Sequence, residues 1–105
     1  MQQALTKWAD YVIMAARYDS DRKHIAQVEV KVGGGYGLGA SFCLSREEVV
    51  RLIGLWQRTF QTAIRNEIGW QRGEDVHLLT IRGNVYIRTD SNCTAADNLG
   101  SLPEF

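Results

Sequence analysis

His77, Tyr86, Arg88, Asp90, Asn92, Asp97 and Asn98 gather the residue types of a polar recognition site in the last third of the chain: an imidazole, a phenol, a guanidinium, two carboxylates and two amides. Gly83-Asn84 has the composition of a two-residue hairpin loop, because both residues tolerate the positive φ such loops need. With that loop closed, Ile81 faces Tyr86, Leu79 faces Arg88 and His77 faces Asp90. A carboxylate opposite an imidazole favours its charged form. His77 and Asp90, next to Arg88 and Tyr86, therefore read as a site for a small anionic ligand. The same His77–Asp90 pair is the one arrangement that would support an enzyme, with His77 as the base and Asp90 orienting it. An ordinary solvated sheet face accounts for these residues as well, its cross-strand pairs contributing about 0.2–1 kcal/mol each. That is the default reading.

Other constellations carry less. The two histidines, His24 and His77, have no nucleophile beside them in sequence. Cys43 and Cys93 lie far apart without CxxC spacing, which suggests two reduced, packed thiols. Asp90-Ser-Asn-Cys-Thr94, with Asp97 beyond, places oxygen ligands at alternate positions. Yet Ala95 stands where a calcium loop needs glycine, and Ser101 where it needs glutamate. Asx turns explain the segment. The run Gly33–Gly39 lacks the Gly-Lys-Ser/Thr of a phosphate cradle and lies between strands rather than ahead of a helix. No metal or cofactor is expected.

Composition limits the partners. Twelve basic residues cancel twelve acidic ones, and 45% of the residues are hydrophobic. A neutral chain is not a general polyanion binder, whose affinity starts from clustered Lys and Arg. Nine arginines against three lysines suit an interaction surface, since guanidinium groups make bidentate and stacking contacts. A base-stacking platform of Arg17, Arg82 and Arg88 with Tyr11, Tyr86 or Trp70 has no RNP-like motif behind it, so nucleic-acid binding ranks third. The longest apolar run, Tyr11–Ala16, is far short of the roughly 20 residues that span a bilayer. The N-terminal residues lack the apolar segment of a secretory signal. A cytoplasmic setting without a membrane partner is expected.

The frame that must position these side chains is small. Tyr11–Tyr18 and His24–Val32, joined by the polar turn Asp19–Lys23, read as a hairpin; Val28, Val30 and Val32 alternate with Gln27, Glu29 and Lys31. Leu38–Leu44 reads as a short third strand. Ser45-Arg-Glu-Glu48 is a capping box. Behind it Val49, Leu52, Ile53, Trp56, Phe60, Ala63 and Ile64 form one stripe at helical spacing. This predicts an amphipathic helix of about five turns, ending near Asn66–Gly69. Gly69–Gly73 reads as a connection, and Val76–Arg82 with Val85–Thr89 as a second hairpin. The expected fold is α+β: an antiparallel sheet of four to five strands with one helix on one face, in the order ββ(β)αββ. One domain spans residues 1–105, with residues 1–10 fraying.

Periodicity leaves the closing segment unexplained: Tyr86-Ile-Arg-Thr-Asp90, then Asp97-Asn-Leu-Gly-Ser-Leu-Pro103. With Ala16-Arg-Tyr-Asp19, His24-Ile25 and Ser45-Arg-Glu-Glu-Val49, it resembles a family of small, mostly bacterial proteins catalogued as domain of unknown function 3892. The resemblance runs roughly from Tyr11 to Pro103; the Gly33–Gly39 stretch and the long helix depart from it. It implies one domain, of bacterial or phage origin, and brings no activity with it. It also directs attention to the tail. Asp97 and Asn98 can bond backbone amides while Leu99, Leu102 and Pro103 dock on the sheet, a clasp across the second hairpin. The functional alternative has Arg88, Asp90, Asn92, Asp97 and Asn98 line a ligand pocket beneath that clasp. The leading reading is a non-catalytic binding module for a protein or a small anionic ligand. An exposed Trp8, Trp56 or Trp70 would be its anchor. Self-association as a homodimer through an open sheet edge is a further route.

Overall fold

The computed structural model describes residues 9–32, 41–90, 95–100 and 102–105, apart from the Trp70 side chain. The expectations for Trp8, the Gly33–Gly39 stretch, Asn92, Cys93 and Ser101 lie outside the described residues. The elements in chain order are β1 (Tyr11–Tyr18), β2 (Ile25–Val32), β3 (Ser41–Ser45), α1 (Arg46–Gly54), β4 (Phe60–Asn66), β5 (Gly69–Ile81) and β6 (Asn84–Arg88). The strands form one sheet in the order β3-β2-β1-β4-β5-β6.

β1 lies at the centre. Its residues Val12 to Ala16 are buried on both faces, which the near-continuous apolar run of an interior strand allows. β2 pairs with it antiparallel, Tyr11 against Val32 and Tyr18 against Ile25, so the first hairpin has the expected bounds. β3 adds antiparallel outside β2, with Val30 against Phe42. On the other side β4 lies parallel to β1, Tyr11–Ile13 beside Phe60–Thr62.

Two expectations are corrected here. The sheet is six-stranded and mixed rather than antiparallel with four to five strands. The helix ends after nine residues instead of about five turns. The stretch expected to be its second half is the strand β4, whose Phe60, Gln61, Thr62 and Ala63 are all buried. A slot between β1 and β5 covers both faces of whatever fills it. A strand meets that requirement, and Thr62 and Ile64 have the β-branched side chains that suit one. Tertiary burial thus overrides a spacing that fits a helix equally well.

The ends of α1 are defined locally. Ser45 Oγ accepts from the Glu48 amide at 3.2 Å while Glu48 Oε1 accepts from the Ser45 amide at 2.8 Å, the capping box seen in the sequence. At the other end Gln57 takes a left-handed φ of 54°, and the Arg58 amide donates to the Leu52 carbonyl at 2.9 Å. That reversal turns Trp56 out to solvent, off the apolar stripe in which its spacing placed it and as the reading of Trp56 as an exposed anchor requires. α1 packs on β2, β3 and β5. Val49 is fully buried in a core with Ile13, Val28, Phe60, Val76 and Ile87.

β5 serves two partners in succession: Gly69–Val76 pairs with β4, and His77–Ile81 with β6. Gly69–Gly73, expected to be a connection, therefore belongs to a strand. The turn lies at Glu67-Ile68, where Asn66 Oδ1 accepts from the Ile68 and Gly69 amides at 2.9 and 3.2 Å. The second hairpin turns at Arg82-Gly83, with φ of 52° and 83°, and not at Gly83-Asn84. Every pair slips accordingly, Leu79 facing Tyr86 and His77 facing Arg88. A slip of two residues preserves side-chain parity. The two faces are therefore as expected, while the His77–Asp90 pair is not formed by this register.

The tail then closes the sheet. Asn98 bridges Arg88 on β6, and Glu104 bridges Ala16 on β1. The Ala16 amide donates to the Pro103 carbonyl at 2.9 Å, and the Phe105 amide to the Ala16 carbonyl at 3.2 Å. The tail thus takes the side of β1 that β4 leaves beyond Ile13. Leu99 and Leu102 are buried in the core, whereas Pro103 is exposed and contributes only its carbonyl.

Candidate functional site

Asp97 organises the region in which the sequence placed its site. Its side chain is completely buried. Oδ2 accepts from the Ile25 amide at 2.8 Å and from Arg46 Nε at 2.7 Å. Oδ1 accepts from the Ile87 amide at 2.8 Å and from Arg46 Nη2 at 3.1 Å. Arg46 Nη2 also donates to the Val85 carbonyl, and the Asp97 amide donates to the Lys23 carbonyl at 2.7 Å. One carboxylate thereby joins the start of β2, the start of α1, β6 and the tail. A carboxylate has about four acceptor positions, and Asp97 has four donors. Hydrogen bonding by that carboxylate raises the Arg46 pKa above its ordinary value. The donors of β2 and β6 are directed at Asp97 rather than at an incoming ligand.

Arg46 is the residue that sequence reasoning missed: the capping box is read from Ser45 and Glu48, and the arginine between them is given no role. A signal was present. A cation at the first helical position opposes the helix dipole, so an arginine directly after the Ser45 cap calls for an anion nearby.

Arg88 is equally committed. Its side chain is 3% exposed. Nε and Nη2 donate to Asp90 at 2.8 and 3.2 Å, and Nη1 donates to the Ala96 carbonyl at 2.5 Å. Asn98 accepts on Oδ1 from the Gly100 amide at 2.8 Å. Tyr86 is buried, and its ring stacks on His24 with centroids 5.8 Å apart. Arg88, Asp97 and Asn98 do share the wall of one cavity of about 440 Å³, with Tyr18, Arg22 and Glu104. His77 is not there: it lines a second cavity of about 380 Å³ with Arg58, Gln57 and Asp75. The structure thus brings three of the seven residues around one space, and His77, although opposite Arg88 in the β5–β6 ladder, does not line it.

The tail's far end is held by charge at the surface. Arg22 reaches both oxygens of Glu104, at 2.8 and 2.7 Å, and lies over the Tyr18 ring. The hydrogen bond from Arg22 holds the Glu104 carboxyl below its usual pKa. The Lys23 amide does the same for Asp21. A carboxyl with a lowered pKa stabilises the fold above the ordinary carboxylate range and loses that contribution as pH falls through its folded value. Acidification below that range is therefore expected to loosen the end of the tail first. Amide resonances of Ala16 and Phe105 should shift in acid ahead of the core, and Glu104→Gln should abolish the pH dependence.

Asp19, Asp21 and His24 bring their ligating atoms within 4.8 Å of one another on the first turn. Bonds from the Lys23 amide to Asp21 and between Asp21 and His24 hold two of the three side chains there, and the Asp19 backbone is tied to His24 and Arg22 in the same turn. Cys43, expected to be packed, is exposed on β3.

A second region was legible only as a list of tryptophans. Leu55 and Trp56, adjacent at the end of α1, are 73% and 63% exposed. Beside them a groove of about 550 Å³ runs between α1 and the β5–β6 hairpin, walled by Val50, Gly54, Leu55, Leu78 and Val85. Glu47 and Arg51, four residues apart on α1, line it as well.

The chain matches the family described as Protein of unknown function (DUF3892) over residues 12–103, and it belongs to that family. No curated protein and no solved structure matches it.

Proposed function

We propose that this member of the DUF3892 family is a single-domain, non-catalytic protein-interaction module of the cytoplasm that presents the end of α1 to its partner. The observation that carries this reading is the exposure of Leu55 and Trp56 beside an apolar groove. Large apolar side chains side by side on a surface are a feature of interaction sites. Trp and Arg dominate the energetics of such sites. The exposed thiol of Cys43 suits a reducing compartment, and no helix among the described residues is long and apolar enough to cross a membrane. A small anionic ligand at Arg88 has less support, because that guanidinium already serves Asp90 and Ala96. An enzyme built on His77 and Asp90 has less as well, since Asp90 serves Arg88 and His77 faces another cavity.

Trp56→Ser tests the proposal. Capture from the native host, with mass spectrometry of proteins and small molecules, is expected to return a protein partner with the unaltered chain and to lose it with the variant. The stability of the variant should stay within about 0.5 kcal/mol of the original, as for other surface substitutions. Equal capture by both chains, or a small molecule retained in place of a protein, overturns the reading. A second reading, a homodimer through the outer edge of β3, draws on the exposure of Phe42 and Val32. It is selected if the captured partner is this chain itself.

A further inference from the structure

We infer that the cavity between the end of α1 and the β4–β5 pair binds an α-amino acid with an apolar side chain, its carboxylate on Arg58 and its ammonium on Asp75. This goes beyond the proposed function, and the cavity shares no lining residue with the α1 groove. Its volume of about 380 Å³ falls within the roughly 300–1,000 Å³ of small-molecule sites. His77, which the sequence placed in a ligand site, lines it together with Arg58, Gln61, Asp75, Ile53 and Val76.

Asp75 and His77 stand two apart on β5, so their side chains leave the same face of the strand. Gln61 is the register partner of Asp75. Its Nε2 donates to Asp75 Oδ1 at 2.6 Å, and its Oε1 accepts from Arg72 Nε at 3.1 Å. One carboxylate oxygen is thereby fixed, while Oδ2 has no hydrogen bond among the described residues. The Arg58 guanidinium and the His77 imidazole have none there either. Arg58 and Asp75 line one space, yet no ion pair joins them. Opposite charges that share a cavity without meeting select a ligand of both signs: Asp75 repels a simple anion, and Arg58 a simple cation. The carboxylate of an α-amino acid accepts two bonds from a guanidinium while its ammonium donates to Asp75 Oδ2. His77 adds a polar contact on the same wall. Ile53 and Val76 make the rest of the wall apolar, which suits an aliphatic or aromatic side chain.

Titration of the isotope-labelled full chain with L-valine, L-leucine, L-isoleucine, L-methionine and L-phenylalanine, followed by amide resonances, tests this. At least one of them should give saturable shifts at Arg58, Gln61, Asp75 and His77. The N-acetyl derivative of that amino acid lacks the ammonium, and its amide lacks the carboxylate. Each should bind about tenfold more weakly, the loss of one hydrogen bond between charged groups. Arg58→Gln and Asp75→Asn should weaken binding by a similar factor and leave the melting temperature unchanged, since both residues are exposed. Absence of saturable shifts at these residues with all of the amino acids overturns the inference. So does equal binding of either derivative, which would mark a plain anion or a plain cation site. Neither result touches the Trp56-dependent capture of a protein, which tests the proposed function separately.

Discussion

Asp97→Ala is expected to be the most damaging single substitution in the described chain. It removes the acceptor of two backbone amides, Ile25 and Ile87, and the counter-charge of Arg46, whose side chain is only 19% exposed. Deleting one partner of a buried ion pair costs about 3–5 kcal/mol, because the other charge is left without compensation. A domain of this size has roughly 5–15 kcal/mol in total. Each kcal/mol moves the midpoint by about 4–8 °C, so thermal unfolding should show a fall of at least about 12 °C. Should the variant fail to fold, the same point is reached from the other partner. Arg46→Met leaves the two amides satisfied and is expected to cost less than Asp97→Ala. In a double-mutant cycle with Asp97→Asn, the two changes should be strongly non-additive. Additive losses would show that Asp97 acts through the amides alone and that Arg46 is incidental.

The second large effect comes from a glycine that is needed for space, not for its backbone angles. A Cβ at Gly73 would lie 2.2 Å from Thr62 Oγ1 and 2.9 Å from the Thr62 carbonyl oxygen. The β4–β5 ladder is irregular at this point, between Gln61 and Ala63, and the Glu74 amide donates to Thr62 Oγ1 at 2.9 Å. Gly73→Ala must therefore push two strands apart, and overpacking of this kind costs about 1–3 kcal/mol or more. Gly54→Ala is the contrast. There a Cβ would meet Leu78 Cδ1 at an ordinary 3.6 Å, and a helical position favours alanine over glycine by up to about 1 kcal/mol. Urea unfolding should give opposite signs for the two substitutions. Equal effects would mean that β4 and β5 yield freely at Thr62. Thr62→Ala, which removes the closer contact but not the carbonyl, should rescue Gly73→Ala only in part.

These two positions illustrate what could be read in advance. Asp97 stood out in the closing motif, and its capacity to bond backbone amides follows from its side chain alone. Its guanidinium partner lies 51 residues away, and only the docking of the tail against the start of α1 brings them together. Gly73 looked like turn chemistry, since glycine at a strand's edge and glycine in a loop are indistinguishable until the neighbouring strand is in place.

Features closed within a few residues were determined by the sequence itself. The Ser45–Glu48 capping box, the bounds of β1 and β2 around a polar turn, and the two faces of the second hairpin all rest on side chain–backbone bonds or on period-2 alternation. The tertiary structure decided whatever depends on which surface is offered to a segment. Residues 60–66 carry a spacing compatible with a helix, yet they form β4 because a slot beside β1 buries both faces of its first half, Phe60 to Ala63. The hairpin register moved by two residues because parity does not distinguish the alternatives, whereas the tail's bonds to Ile87 and Arg88 do. Trp56 was exposed for the same reason, its helix ending where the chain turned back to supply that strand. Local periodicity records what a segment can bury; only the assembled sheet determines which of those options leaves the fewest polar groups unpaired.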